Sequence, residues 1–243
     1  MKKFAVFDID GTLFRWQLFH EVVFELIASG YIPKEAQVKI DEKMTLWRNR
    51  AHRHAFSDYE HAVIEAFLPH LPGLKVANLE AAADKVLERS GAKVHAYTRN
   101  LIEKLRAQGY FLIAISGSQD EVVKRFAKLW QFDMAIGQVH EVSDGVYTGK
   151  IPGKLLITQK GPLLKSIVTE NKLSWEDSIA IGDSRSDSDM LELVEHPIAF
   201  NPDDQLFAVA QTKGWKVVIE RKNMIYELEQ RDGTYVLAQA NPR

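Results

Sequence analysis

The sequence predicts an α/β fold: a doubly wound, mostly parallel sheet with a block of helices inserted into it. Three observations carry this. Short apolar runs end in polar or glycine-containing turns, and from about residue 97 onward they alternate with amphipathic stretches. A purely helical segment separates the first apolar run from the others. The size permits such a division, since 243 residues, 46% of them hydrophobic, bury one full core and leave material for a smaller accessory unit.

Residues 4–7 form an apolar run that closes on Asp8-Ile9-Asp10-Gly11, as expected of a buried strand delivering residues at its C-terminal end. From about Trp16 to Ser90 the period is helical. Leu18, Val22, Leu26 and Ala36, Ile40, Met44, Trp47 form apolar stripes, with Pro33, Pro69 and Pro72 as breaks, which predicts three or four helices and no strand. A helix over about 98–107, stopped by Gly109, leads to a strand over 110–115 and a helix over about 121–130. A strand near 134–136 follows, then a hairpin within 142–151 that turns at Asp144-Gly145. A helix over 162–171, a strand over 178–181, a helix over 188–194, a strand over 197–200, a short helix after Pro202 and a strand over 215–219 complete the series. The last ten or so residues carry no strong signal, and nothing assigns a role to the segment after Glu220. The expected division is a core of residues 1–15 and 92–243 with a helical cap of residues 16–91.

Composition narrows the chemistry. A formal net charge of -2 gives no global pull toward nucleic acid or an anionic membrane, so neither is an expected partner. With no cysteine, disulfide scaffolds, thiolate zinc sites and cysteine nucleophiles are excluded together, and any metal must take oxygen or imidazole ligands. The basic, apolar start is interrupted by Asp8 and Asp10 before a signal-peptide core can form, and no apolar run reaches the roughly 18 residues of a membrane span. A cytoplasmic location is the expectation.

Ligands of doubly wound sheets bind beyond the carboxyl ends of the strands, so the polar residues after each apolar run are the candidates. Four sets stand there. In Asp8-Ile9-Asp10-Gly11-Thr12 the alternation of an extended chain puts both carboxylates on one side before Gly11 turns it; taken alone, this is also an ordinary solvated turn. Ser116-Gly117-Ser118 offers a hydroxyl and backbone amides that suit a phosphate oxygen, or a serine that only starts a helix. Lys160 precedes Gly161-Pro162, where a cation at a helix N-terminus is unfavourable and a compensating anion is plausible; Lys165, further along the helix, is expected at the surface. Finally, Gly182-Asp183 opens a segment with Asp187 and Asp189, more acids than a turn requires. Each set lies at a strand end or helix start on one edge of the sheet. Together they supply what a hard divalent cation and a phosphoryl group require.

In order and spacing, Asp8-x-Asp10-Gly11-Thr12, Ser116-Gly117, Lys160, and Gly182-Asp183 with Asp187 resemble the four motifs of the haloacid dehalogenase (HAD) superfamily. The 23-residue step from Lys160 to Asp183 and the helical insertion after the first motif are similar to the phosphoserine-phosphatase-like branch, subfamily IB. The resemblance extends to about Ile219 and implies a Rossmann-type core under a four-helix cap. It implies a phosphatase acting on a small-molecule phosphate monoester, with Asp8 as nucleophile forming an aspartyl-phosphate and Asp10 as general acid and base. It also implies Mg²⁺ held by Asp8, the backbone carbonyl of Asp10 and Asp183, with Asp187 behind them. Lys160, Ser116, the amide of Gly117 and Thr12 would bind the transferring phosphoryl group, and Thr12 would also steady the first loop by hydrogen bonding.

Departures from the branch bear on substrate. Where phosphoserine phosphatases carry a glutamate that holds the substrate ammonium, this chain has Gln17; the cap arginine position aligns with Ala66, and the usual asparagine of the fourth motif is Ser186. Phosphoserine is therefore not the expected substrate. Arg48, Arg50, His52, Arg53 and His54 make a basic stretch; with the helix continued, Arg48/His52 and Arg50/His54 stack, and the stretch either selects a second anionic group or is a solvated helix end. A phosphomutase or phosphotransferase would use the same residues. A receiver-like signalling module would share the acidic site but place adjacent acids after its first strand and has no use for a large insertion.

Overall fold

The computed structural model describes residues 1–151 and 159–242. The chain opens with strand β1 (Lys2–Phe7), followed by helices α1 (Leu18–Ala28), α2 (Ala36–Arg48), α3 (Ala55–Phe67) and α4 (Val76–Ser90) with no strand among them. Then come α5 (Ala96–Ala107), β2 (Phe111–Gln119), α6 (Asp120–Leu129), β3 (Met134–Gln138) and a small hairpin of β4 (Val142–Ser143) and β5 (Val146–Tyr147). α7 (Lys160–Glu170), β6 (Leu173–Gly182), α8 (Ser188–Leu191), β7 (His196–Phe200) and α9 (Asp204–Lys213) continue the alternation. The chain ends in β8 (Lys216–Arg221), β9 (Met224–Arg231) and β10 (Thr234–Pro242).

The main sheet has the order β10-β9-β8-β7-β6-β1-β2-β3. From β3 to β8 every pairing is parallel, while β8, β9 and β10 pair antiparallel. Because β1 is covered on both faces, its residues divide by the two-residue period of a strand. Phe4 and Val6 enter the apolar cluster with α7, α8 and α9; Ala5 and Phe7 enter the other, with α5, α6 and the four inserted helices. The chain enters and leaves the inserted block side by side, through hydrogen bonds from Arg15 N–H to the Lys93 carbonyl and from His95 N–H to the Leu13 carbonyl.

Several expectations shift. β2 continues past Ile115 through Ser116-Gly117-Ser118, because its pairing with β3 resumes at Gln119 after a register shift; a sequence that looks like a turn is drawn into the sheet. α2 ends at Arg48 and Arg50 adopts φ 51°, so the Arg48/His52 and Arg50/His54 stacks do not form. The expected helix over 188–194 is a 3₁₀ turn, Arg185–Asp187, followed by the four-residue α8, whereas α9 is a full ten residues. The predicted hairpin turn is present, with Asp144 at φ 51° and Gly145 at φ 76°, the left-handed pair that a two-residue connection requires. The segment after Glu220 is the antiparallel extension of the sheet, its second turn made by Asp232 and Gly233, again both at positive φ.

Candidate active site

β1 is flanked by β2 on one side and β6 on the other, the point at which the order of a doubly wound sheet reverses and leaves a crevice at the strand tips. Asp8 stands at that tip, 5% exposed, with its amide donating to the Ile181 carbonyl of β6 at 3.0 Å. Gly11 turns the chain at φ 83°; a β-carbon there would lie 2.2 Å from Asp183 Oδ2, so the two loops meet only because the residue is glycine. Gly182 permits an equally close approach, since its β-carbon would be 2.5 Å from the Asp187 side chain.

Lys160 opens α7, and its ammonium bridges Asp8 Oδ1 at 2.6 Å and Asp187 Oδ1 at 2.5 Å, with all three side chains buried. The anions anticipated from a lysine at a helix N-terminus are thus these two carboxylates, and Asp189 Oδ2 adds a third by accepting the Gly161 amide at 2.8 Å. Asp187 Oδ2 accepts the amides of Asp183 and Ser184, both at 3.0 Å, closing a capping box around the 3₁₀ turn. Lys165 is exposed, as expected.

Carboxylate oxygens of Asp8, Asp183 and Asp187 all lie within 4.8 Å of one another. Burial pushes the Asp8 carboxyl up; the Lys160 charge opposes this, and the Asp187 and Asp10 charges add to it. Asp183 is likewise raised by burial and by Asp8 and Asp187. For Lys160, burial pulls downward, but the Asp187 and Asp8 charges outweigh it and hold the ammonium protonated. Three crowded carboxylates share one ammonium, which leaves two negative charges to be balanced in a buried space. An all-oxygen donor set with that excess fits a hard divalent cation.

Asp10 is separate from this trio. Its Oδ2 accepts the hydroxyls of Ser116 and Ser118, each at 2.7 Å, and its Oδ1 accepts the amides of Leu18 and, at 3.3 Å, Phe19. It therefore caps α1 while reaching across to β2, and its side chain is outside the acidic cluster. Thr12 departs from the phosphate-binding expectation: its hydroxyl is fully buried and donates to Asp183 Oδ1 at 2.9 Å, so it holds that carboxylate. Ser116 is buried against Asp10, whereas Gly117 is exposed.

Gln17 immediately precedes α1, and Ala66 packs against the apolar cluster from α3. Arg53 is paired with Asp204 of α9, its Nε at 2.7 Å, and so ties the inserted helices to the sheet domain instead of facing substrate unpartnered. Ser118 and Asp189 stand in the motifs that the sequence marks but had no role assigned, and Asp203 was passed over. Asp203 donates its amide to the Asp183 carbonyl at 2.8 Å and accepts Leu206 N–H as the cap of α9, a role that its place after Pro202 signals.

A family profile described as haloacid dehalogenase-like hydrolase matches residues 5–192. A phosphoserine phosphatase of Archaeoglobus fulgidus is 28% identical over 210 residues, covering 86% of this chain and 55% of that protein. The chain thus spans about half the length of that relative. A histidinol-phosphatase of Neisseria meningitidis serogroup C is 27% identical over 230 residues, covering 90% of this chain and 99% of that protein. Among solved structures, a protein of unknown function from Bordetella pertussis Tohama I shares the fold with a TM-score of 0.71 at 23% identity, over 90% of this chain and 99% of that one.

Proposed function

The chain belongs to the haloacid dehalogenase-like hydrolase family, in its phosphoserine-phosphatase-like branch, and on that footing we propose that it is a Mg²⁺-dependent phosphatase of small-molecule phosphate monoesters, with Asp8 as nucleophile. The observation that carries this is the buried set of Asp8, Lys160, Asp183 and Asp187 at the reversal point of the sheet. Residues 16–91 serve as a cap over a core of residues 1–15 and 92–243.

An oxygen of Asp8 attacks phosphorus in line. The ester P–O bond breaks as the Asp8–phosphorus bond forms, and Asp10 gives its proton to the departing alcohol. Water then attacks the aspartyl-phosphate, Asp10 takes a proton from it, and inorganic phosphate leaves with Asp8 restored. Ser116 links the two roles: turning its hydroxyl from Asp10 onto a phosphoryl oxygen frees an Asp10 oxygen for the proton. Lys160 holds Asp8 in place and, with the Gly117 amide, spreads the charge of the transferring group. Asp8, Asp183 and the Asp10 backbone carbonyl would hold Mg²⁺, with Thr12 fixing the Asp183 carboxylate and Asp187 fixing the Lys160 ammonium and the Asp183 amide from behind. When bound, the ion neutralises charge on the phosphoryl oxygens, so that one anion can approach another.

Phosphate release from p-nitrophenyl phosphate tests the reading. Activity should require Mg²⁺ and disappear with chelator, and Asp8→Asn should lower turnover by about 10³-fold or more with an unchanged circular dichroism spectrum. Metal-independent release, or an Asp8→Asn variant retaining a tenth of the activity, contradicts it.

A further inference from the structure

Ser118 carries a hydroxyl that takes no part in the reaction as proposed. β2 runs on through Ser116-Gly117-Ser118 where a turn was expected, so the two-residue period of a strand puts both serines on one side and Gly117 on the other. Burial follows that period: Ser116 is 0% and Ser118 2% exposed, whereas Gly117 is exposed. Both hydroxyls donate to one atom, Asp10 Oδ2, each at 2.7 Å.

The two donors are not equivalent. The Ser116 oxygen accepts the Ser118 amide at 3.0 Å, which holds that oxygen still while its hydrogen swings to another acceptor, in the proposed reaction a phosphoryl oxygen. Among the described residues the Ser118 hydroxyl has no acceptor besides Asp10. Asp10 has need of a lasting partner at Oδ2. Its Oδ1 is held by the Leu18 and Phe19 amides at the start of α1, but rotation about the bond to a carboxyl group is soft, so one held oxygen leaves the other free to swing. Once Ser116 has turned away, Ser118 is the donor that stays.

We propose that Ser118 is the positioning residue of Asp10: its hydroxyl keeps Oδ2 in place through both half-reactions, while Ser116 alternates between Asp10 and the phosphoryl group. The inference rests on the phosphatase reading and divides the labour of that site between two serines two residues apart. The effect of Ser118 on the substrate passes through Asp10, whose carboxyl plane is then fixed from the inserted helix α1 on one oxygen and from the sheet on the other.

The leaving group separates this role from a merely structural one. Propanol departs from its phosphate ester only with a proton supplied, whereas p-nitrophenolate is weakly basic and departs without one, so the placement of Asp10 matters far more for propyl phosphate than for p-nitrophenyl phosphate. The measurement is kcat/KM for both esters, which covers the steps up to P–O cleavage; its ratio between the esters does not depend on how much of a preparation is folded. Ser118→Ala should lower kcat/KM about 100-fold for propyl phosphate and about threefold for p-nitrophenyl phosphate. Ser118→Cys, close in size but a weak donor, should shift the ratio in the same direction by about tenfold. Equal losses on the two esters in either variant, or no loss, overturn the positioning role and leave the phosphatase reading standing. No phosphate release from either ester by the parent chain overturns both.

Discussion

At Gly11 the backbone conformation and the acid opposite it make the same demand: φ is 83°, and a β-carbon would meet Asp183 at 2.2 Å. Gly11→Ala should therefore cost about 1 kcal/mol or more in stability from the left-handed backbone alone. It should also lower kcat/KM by about 100-fold, because Asp183 has to retreat from Asp8. Urea denaturation and steady-state kinetics of the purified variant measure both, and near-wild-type activity would show that the contact between the two loops is dispensable. At this scale the sequence was most informative where a polar residue directly follows an apolar run. Asp8 and, one glycine later, Asp183 stand at such positions, and the fold brings them together with Lys160 and Asp187. What a hydroxyl donates to was not legible, because Thr12 and Ser116 find their partners in distant segments, on Asp183 and Asp10.

Among the elements, helix starts are controlled from far along the chain. Asp10 caps α1, Asp189 caps α7, and Glu220 of β8 accepts the Tyr97 amide in the first turn of α5 at 2.9 Å. Burial works to raise the Glu220 carboxyl, but hydrogen bonds from His95 and from the amides of Tyr97 and Ala96 outweigh it and pull its pKa down to about 2, from an ordinary value of 4.5. A carboxyl lowered by folding stabilises the fold fully above its unfolded pKa, and that contribution is lost as pH falls through the folded one. Glu220→Gln should thus be less stable than the parent at neutral pH, with the gap closing between about pH 4.5 and pH 2 in urea titrations; a gap independent of pH would contradict the assignment. The hairpin of β9 and β10 was the element least visible beforehand. Its strands mix charged residues with few apolar ones, because Ile225, Leu228 and Tyr235 are what they bring to the core clusters among the described residues, and half-solvated strands lose the apolar run that marks a buried one. The Asp232-Gly233 turn was the available signal.

Across the whole molecule, alternation of apolar runs with helices was enough to predict the parallel sheet, since β1, β2, β3, β6, β7 and β8 each send residues to the apolar clusters on both faces. The order of the strands was not, because it depends on which crossovers pack together, and it is this order that sets β1 between β2 and β6. The same order brings residues as distant as Asp8, Ser116, Lys160 and Asp183 to one edge, while Arg53–Asp204 and the Arg125 pairs with Glu80 and Asp84 tie the inserted helices to α9 and α6. On the proposed reading, this edge makes Asp8 a nucleophile. Acid quenching during turnover, followed by borohydride reduction, converts an aspartyl-phosphate to homoserine, which peptide mass spectrometry locates. Homoserine is expected at position 8 alone and is absent from Asp8→Asn; homoserine at another position, or none while phosphate is being released, would refute Asp8 as the nucleophile.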